Sequence, residues 1–268
     1  TGLHSVKAFV NQMVARREFE NKCVGAGLNP LVVSPHLVFT GNPGTGKTTV
    51  ARIIADIYKH LGLVSKGQVV EIDRAGLVAD YIGQTATKTR AVCEKARGGI
   101  LFIDEAYSLA RENGNDFGRE AIDTIVKFME DNRGEIVVIV AGYPDRMKTF
   151  MESNPGLASR FDLTVEFPDY SDIELMEILN GMMAEHDFVF DTGARHAAFR
   201  AVKGFERGDN FGNAREVRRL FESMVGKHAE LVTSVYRPER DTLRTITVDA
   251  IPKPANANFE FVDLTELI

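Results

Sequence analysis

The sequence predicts an α/β fold: an open parallel five-stranded sheet with helices on both faces, followed by a smaller helical domain. Three observations carry this. Five strand-like runs alternate with helical patterns as far as Pro168, which is the rhythm of strand–helix crossovers. Two of those runs, GILFID and EIVVIVAG, are apolar throughout, as strands covered on both faces must be. Beyond Pro168 the strand signals stop and apolar residues recur only at helical spacing.

Taken in order, Val6, Phe9, Val10, Met13 and Val14 mark an amphipathic helix ahead of the first strand. The strands are expected at His36–Thr40, Gln68–Asp73, Gly99–Asp104, Glu135–Ala141 and Asp162–Phe167. Between the first two, Val50, Ile53, Ile54, Ile57, Tyr58 and Leu61 lie at helical spacing. Ser171 is a plausible N-cap for a helix reaching His186, with Ile173, Met176, Leu179, Met182 and Met183 facing a core. Further helices are expected near Thr192–Val202 and Gly212–Val232. The expected domains are residues 1–170, 171–252 and a Pro-, Ala- and Asn-containing tail over 253–268.

Composition narrows the function classes. With 268 residues and 44% hydrophobic content the chain can build a proper core. Its net charge of −6 gives no support to a nucleic-acid-binding body. No stretch is long and apolar enough for a membrane span, so no membrane insertion is expected. Cys23 and Cys93 read as small buried hydrophobes of a reducing, cytoplasmic compartment. The histidines lack metal-ligand spacing, and His228 continues the apolar stripe Val217, Leu220, Phe221, Met224, Val225. Opening on Thr1 rather than Met, the sequence reads as a piece of a longer polypeptide.

The chemistry begins after the first strand. Gly41, Asn42, Pro43, Gly44, Thr45, Gly46, Lys47, Thr48 and Thr49 carry the spacing G-x-x-x-x-G-K-[ST]. Gly44 and Gly46 let backbone N–H groups approach phosphate oxygens. Lys47 supplies a point charge for the β- and γ-phosphates, and the Thr48 hydroxyl is placed for Mg²⁺. The helix beginning there aims its positive end at the same anion. A nucleoside triphosphate is the expected ligand. The third strand ends in Asp104 and Glu105, two carboxylates at the carboxyl edge of the sheet. Asp104 is expected in the Mg²⁺ shell and Glu105 beside the attacking water, an arrangement for hydrolysis rather than simple binding.

On the blocks GNPGTGKTT, YIGQTATKT, GILFIDEAYSL, NDFGREAID, VVIVAGYPDRM, NPGLASRF, FPDYS and GNAREVR, the chain resembles the AAA+ ATPases. Within them it is similar to the group containing the red-type Rubisco activase CbbX, the sporulation protein SpoVK and the type VII secretion ATPase EccA. The resemblance runs from about Gly2 to Ile251. It implies a P-loop AAA+ module with a helical lid and a homo-oligomeric, hexameric ring acting on a protein client. Arg160 matches an arginine finger reaching a neighbour's γ-phosphate, and Arg215 matches the second sensor, with Arg218 and Arg219 close by. Tyr81-Ile82-Gly83 matches an aromatic–hydrophobic–glycine pore loop; packing of Tyr81 in the core is the alternative. Where the family usually has a polar sensor at the end of the fourth strand, this chain has Ala141-Gly142-Tyr143. A nucleic-acid motor or an ATP-switched scaffold on the same core are the rival functions, and Asp80 disfavours phosphate contact at the loop.

Overall fold

The computed structural model describes residues 4–29, 34–110 and 117–253. Among these the chain forms two compact units, one of residues 4–41 and 46–167, the other of 42–45 and 168–253. The expected tail from residue 254 onward, and Asn115 and Asp116 of one sequence block, lie outside the described residues.

The larger unit is built on five parallel strands, β1 (Leu37–Gly41), β2 (Val69–Ile72), β3 (Ile100–Ile103), β4 (Val137–Gly142) and β5 (Leu163–Phe167), in the order β2-β3-β4-β1-β5. Every strand runs the same way, so every carboxyl end reaches one edge. Around the sheet lie α1 (His4–Gly25), α2 (Lys47–His60), α3 (Arg74–Leu77), α4 (Thr85–Ala96), α5 (Phe117–Asp131), α6 (Pro144–Glu152) and α7 (Pro155–Ala158). Successive strand residues face opposite sides, and each side has its own core. Ile100, Phe102, Ile139, Phe39 and Leu37 pack with Val50, Ile54 and Tyr58 of α2 and with Val6 of α1. Leu101, Ile103, Val138 and Val140 pack with α4 and α5 through Val92, Cys93, Ile122 and Ile125. The central strands therefore have no solvent face, which is why their sequences show no alternation.

The amphipathic helix expected near Val6 is longer than its apolar signal. Its amino-terminal half packs on β5, where the Ser5 hydroxyl donates to the Glu166 carbonyl, and Arg17 farther along donates to the Leu61 carbonyl. Both cysteines are buried and unpaired.

At the amino edge of the sheet His36 is 8% exposed, and its Nδ1 accepts the Val138 N–H at 3.0 Å. That bond places the ring proton on Nε2. Burial, with the Arg160 cation adding to it, pushes the His36 pKa down to about 4.

The smaller unit contains α8 (Asp172–Glu185), α9 (Thr192–Lys203), α10 (Ala214–Thr233) and α11 (Arg240–Arg244). Ser171 caps α8 through a full capping box with Glu174, an arrangement worth about 1 kcal/mol. Asp191 caps α9 by accepting the Ala194 N–H. The α10 stripe ends as the sequence indicates: His228 is buried and its Nε2 meets the Leu243 carbonyl at 3.0 Å.

Two features of the smaller, helical unit carry no signal in the sequence. Val189–Phe190 (β6) and Thr245–Ile246 (β7) pair as a short parallel ladder. Two-residue strands carry no periodicity, and their pairing is decided by the helices between them. The second feature is Asn213, fully buried with φ +48°. Its Oδ1 accepts the Tyr170 N–H, and its Nδ2 donates to the carbonyls of Pro43 and Phe211 and to the Asp169 carboxylate. Asp169 also accepts from Asn42.

Two stability predictions follow from these buried polar groups. In the unfolded chain His36 takes its proton near the ordinary histidine value; in the fold it does so only near pH 4. Protonation would turn Nδ1 into a donor facing a donor. Stability should be complete above about pH 6.5 and decline between there and pH 4, by up to about 3 kcal/mol. Urea titrations across that window should show the decline, flattened in His36→Gln. Asn213→Ala should lower the unfolding free energy by about 2–4 kcal/mol, read as an earlier urea midpoint at unchanged slope.

Candidate active site

The chain crosses between its two units at the glycine-rich turn, and each unit holds part of the motif. In the larger unit β1 ends at Gly41 and α2 begins at Lys47, so the first N–H groups of α2 are directed toward the turn. Gly46 precedes the helix at φ +92°. The Lys47 ammonium donates to the Gly41 carbonyl at 2.9 Å, folded back along the turn. The Thr48 hydroxyl lies 3.4 Å from a Glu71 carboxylate oxygen on β2, and Arg52 pairs with the same carboxylate. Thr49 is exposed.

In the smaller unit the tip of the turn, Asn42 to Thr45, is held by backbone and side-chain bonds. The Ala214 N–H donates to the Gly44 carbonyl, the Tyr170 hydroxyl donates to the Thr45 carbonyl, and Thr45 Oγ1 donates to the Asn42 carbonyl. Gly44 has φ +72°, and a Cβ there would run into the Gly212 carbonyl oxygen. No other residue type fits that position without moving the turn. Arg215 is exposed in the first turn of α10, where its backbone N–H donates to Gly212. Arg219 pairs with Glu216.

The acidic pair stands at the carboxyl edge of the larger unit. Ile103 pairs with Val140 and Thr40 with Gly142, so β4 alone separates β3 from β1. The ends of β3 and β1 are thus two strand spacings apart, about 10 Å. Within the larger unit, that is room for phosphate oxygens and a cation between Asp104 and the start of α2 at Lys47 and Thr48. The Glu105 backbone has φ +48°, unusual for a residue with a side chain. The Asp104 carboxylate accepts the Glu105 N–H at 3.0 Å and so fixes the turn that presents Glu105 to solvent. Behind it, Arg146 sits over the rings of both Tyr107 and Tyr143, at 5.1 and 5.2 Å. Burial, and then the Glu105 charge, push the Tyr107 hydroxyl pKa up. Tyr143, at the place where the sequence lacks the usual polar sensor, is one wall of this aromatic–cation clamp.

Arg160 follows α7 and is three-quarters buried. Its guanidinium donates to the Gly156 carbonyl at 3.1 Å, to Ser159 Oγ at 3.2 Å and to Glu130 at 2.7 Å. Tyr81 and Ile82, between α3 and α4, are 71% and 88% exposed, and Gly83 has φ +80°. Core packing of Tyr81 is thereby ruled out. The base of this segment is fixed by Lys88, whose ammonium donates to the carbonyls of Ala75 and Val78, and by Thr85 Oγ1, which accepts the Ala79 N–H.

Sequence reasoning missed Glu130, Asp169 and Asn213. The last two lie in the blocks FPDYS and GNAREVR, which signalled resemblance without revealing their bonds. Glu130 gave no signal, because a glutamate late in an amphipathic helix reads as an ordinary solvated acid.

With this geometry in place, the comparisons with known proteins agree. Residues 37–169 match the ATPase family associated with various cellular activities (AAA), and residues 171–260 match the AAA lid domain. Stage V sporulation protein K of Bacillus subtilis is 43% identical over 231 residues, 85% of this chain and 72% of its own length. Protein CbbX of Cereibacter sphaeroides is 45% identical over 223 residues, 82% of this chain and 72% of its own. The chloroplastic ribulose bisphosphate carboxylase/oxygenase activase of Cyanidioschyzon merolae is 42% identical over 250 residues, 93% and 85% respectively. Among solved structures, the AAA domain of FIGL-1 in complex with ADP aligns with a TM-score of 0.65 at 18% identity, covering 99% of this chain and 85% of that one. That likeness speaks to the fold. With a glycine-rich turn leading into α2, an acidic pair ending β3 and a following lid domain, the chain belongs to the AAA family of ATPases, as an enzyme that binds and hydrolyses ATP.

Proposed function

We propose that the chain is a Mg²⁺-ATP-driven ring motor, hexameric and cytoplasmic, that remodels a protein client through a central pore. The observation that carries this reading is the exposure of Tyr81 and Ile82 on a segment whose base is bonded to α4. Two large apolar side chains held out in solvent contribute nothing to this fold, yet they suit sequence-independent grip on a polypeptide. The tip carries no cation and follows Asp80, which argues against a nucleic-acid track. The relatives' names span sporulation and carboxylase activation, so the client is set by surfaces other than the ATPase core.

At the nucleotide, the N–H groups of the Gly41–Thr48 turn and the Lys47 ammonium hold the β- and γ-phosphates. Thr48 and Asp104 are hard oxygen donors suited to Mg²⁺, which binds through one or two protein oxygens plus phosphates. The cation would neutralise charge developing on the phosphate oxygens. Glu105 holds the attacking water and accepts its hydrogen bond in line with the γ-phosphate. Arg160 acts on the nucleotide of a neighbouring protomer, and Arg215 senses the nucleotide from the lid. Both assignments rest on motif position, and Arg160's attachment to Glu130 supports a guanidinium already shaped to hold an oxyanion.

Glu105→Gln should keep ATP affinity while reducing turnover at least about 100-fold, measured by calorimetry and phosphate release. Turnover per protomer should rise with protein concentration and be cut about 1,000-fold or more by Arg160→Ala. Concentration-independent turnover by a monomer would reject the ring. Tyr81→Ala should spare basal ATPase and abolish ATP-dependent unfolding of a bound client; a nucleotide-switched scaffold would be indifferent to it.

A further inference from the structure

Glu130, near the end of α5, does not serve Arg160 alone. Arg160 Nη2 donates to its Oε2 at 2.7 Å, and Arg133 Nη2 donates to its Oε1 at 2.5 Å. One carboxylate thus gathers two guanidiniums onto its two oxygens, from the end of α5 and from the turn after α7. The same arrangement recurs nearby, where Arg16 and Arg17 both donate to Glu20. These four arginines and two glutamates line a cavity of about 510 Å³ at the amino edge of the sheet, with Met13, Leu63 and Met129 among its apolar walls. His36 also lines it and stays neutral at physiological pH. Four guanidiniums face two carboxylates there, an excess of two positive charges that an incoming anion would balance.

The tie between Arg133 and Glu130 is exchangeable. Arg133 is 76% exposed and Glu130 44%, and ion pairs this open to water contribute about 0–1 kcal/mol. A triphosphate carries more charge than a carboxylate and offers oxygens to the same pair of planar donors. Arg133 has few other ties: besides Glu130, no hydrogen bond or ion pair to it is found among the described residues.

We propose that Arg133 is a second trans-acting arginine, leaving Glu130 together with Arg160 to grip the terminal phosphates of ATP bound to the neighbouring protomer. Glu130 is the resident anion that keeps both guanidiniums gathered until that phosphate arrives. The inference rests on the ring reading above and on Arg160 acting across its interface.

The test uses the full chain, with assembly followed by sedimentation and turnover measured at saturating ATP. Arg133→Ala should lower kcat of the assembled protein at least about tenfold with ATP affinity unchanged, and Arg133→Lys should recover only part of it. Mixing Arg133→Ala with Glu105→Gln should restore part of the turnover, because an Arg133→Ala protomer keeps Glu105 in its own site and receives Arg133 from a Glu105→Gln neighbour, whereas the reverse pairing lacks both. Glu130→Gln should lower kcat less than Arg133→Ala does, because an amide oxygen can still hold one guanidinium in place until the phosphate arrives. An Arg160→Ala variant that turns over normally when assembled would remove the reading beneath this one. Loss with Arg160→Ala but wild-type kcat with Arg133→Ala would overturn the present inference alone. So would an Arg133→Ala defect that mixing does not repair, or one confined to assembly. Collapse of Glu130→Gln to the Arg160→Ala level would overturn the place-holder role.

Discussion

The placement of the α2 start and the Asp104–Glu105 pair at one edge depends on the parallel register of β1, β4 and β3. Parallel pairing sends each carboxyl end to the same edge, and a turn leaving that edge can reach ligands its neighbours also reach. The Gly41–Thr48 turn leaves β1 there, and Asp104 and Glu105 leave β3 there. Antiparallel strands would have sent one of the two to the opposite side of the molecule. The register in turn depends on apolar strands sandwiched between two cores, which leaves no alternative facing. Strain is tolerated at Glu105 because buried neighbours on either side hold the strand end in place.

The amino edge of the same sheet is different in kind. There the fold places charge rather than donors on a backbone turn. Arginines from α1, the end of α5 and the turn after α7 share too few carboxylates. Neutral His36, held by the Val138 N–H, lies beneath them without adding a further charge. Four guanidiniums against two carboxylates leave this edge with surplus positive charge, which is the feature that the proposed contact with a phosphate of another protomer would use.

The smaller unit shows how a P-loop tip becomes a structural part of a lid-type unit. Asn213 and Asp169 satisfy each other and the tip's carbonyl and amide groups in one buried set of bonds. The Ala214 N–H completes it on Gly44. Each member is satisfied only while the others are in place, so the tip and the start of α10 hold or loosen as one piece. An asparagine at positive φ is tolerated there because its side chain makes all these bonds at once.

The sequence alone was enough to place the strands to within a residue or two, the helix capped by Ser171, a further helix near Thr192, the glycine-rich turn after β1 and the acidic pair after β3. All of these depend on local order: periodicity, capping chemistry and motif spacing are properties of neighbours along the chain. The ladder of β6 and β7, the attachment of Asn213 to Pro43, the clamp of Arg146 on Tyr107 and Tyr143, and the capture of Arg133 and Arg160 by Glu130 were not legible. The core reading of Tyr81 fell only when its exposure was known. These features join residues distant in sequence, or depend on which face of an element meets solvent. Only the packed chain fixes such things, because contact energy is set by position in space, and no spacing along the backbone encodes it.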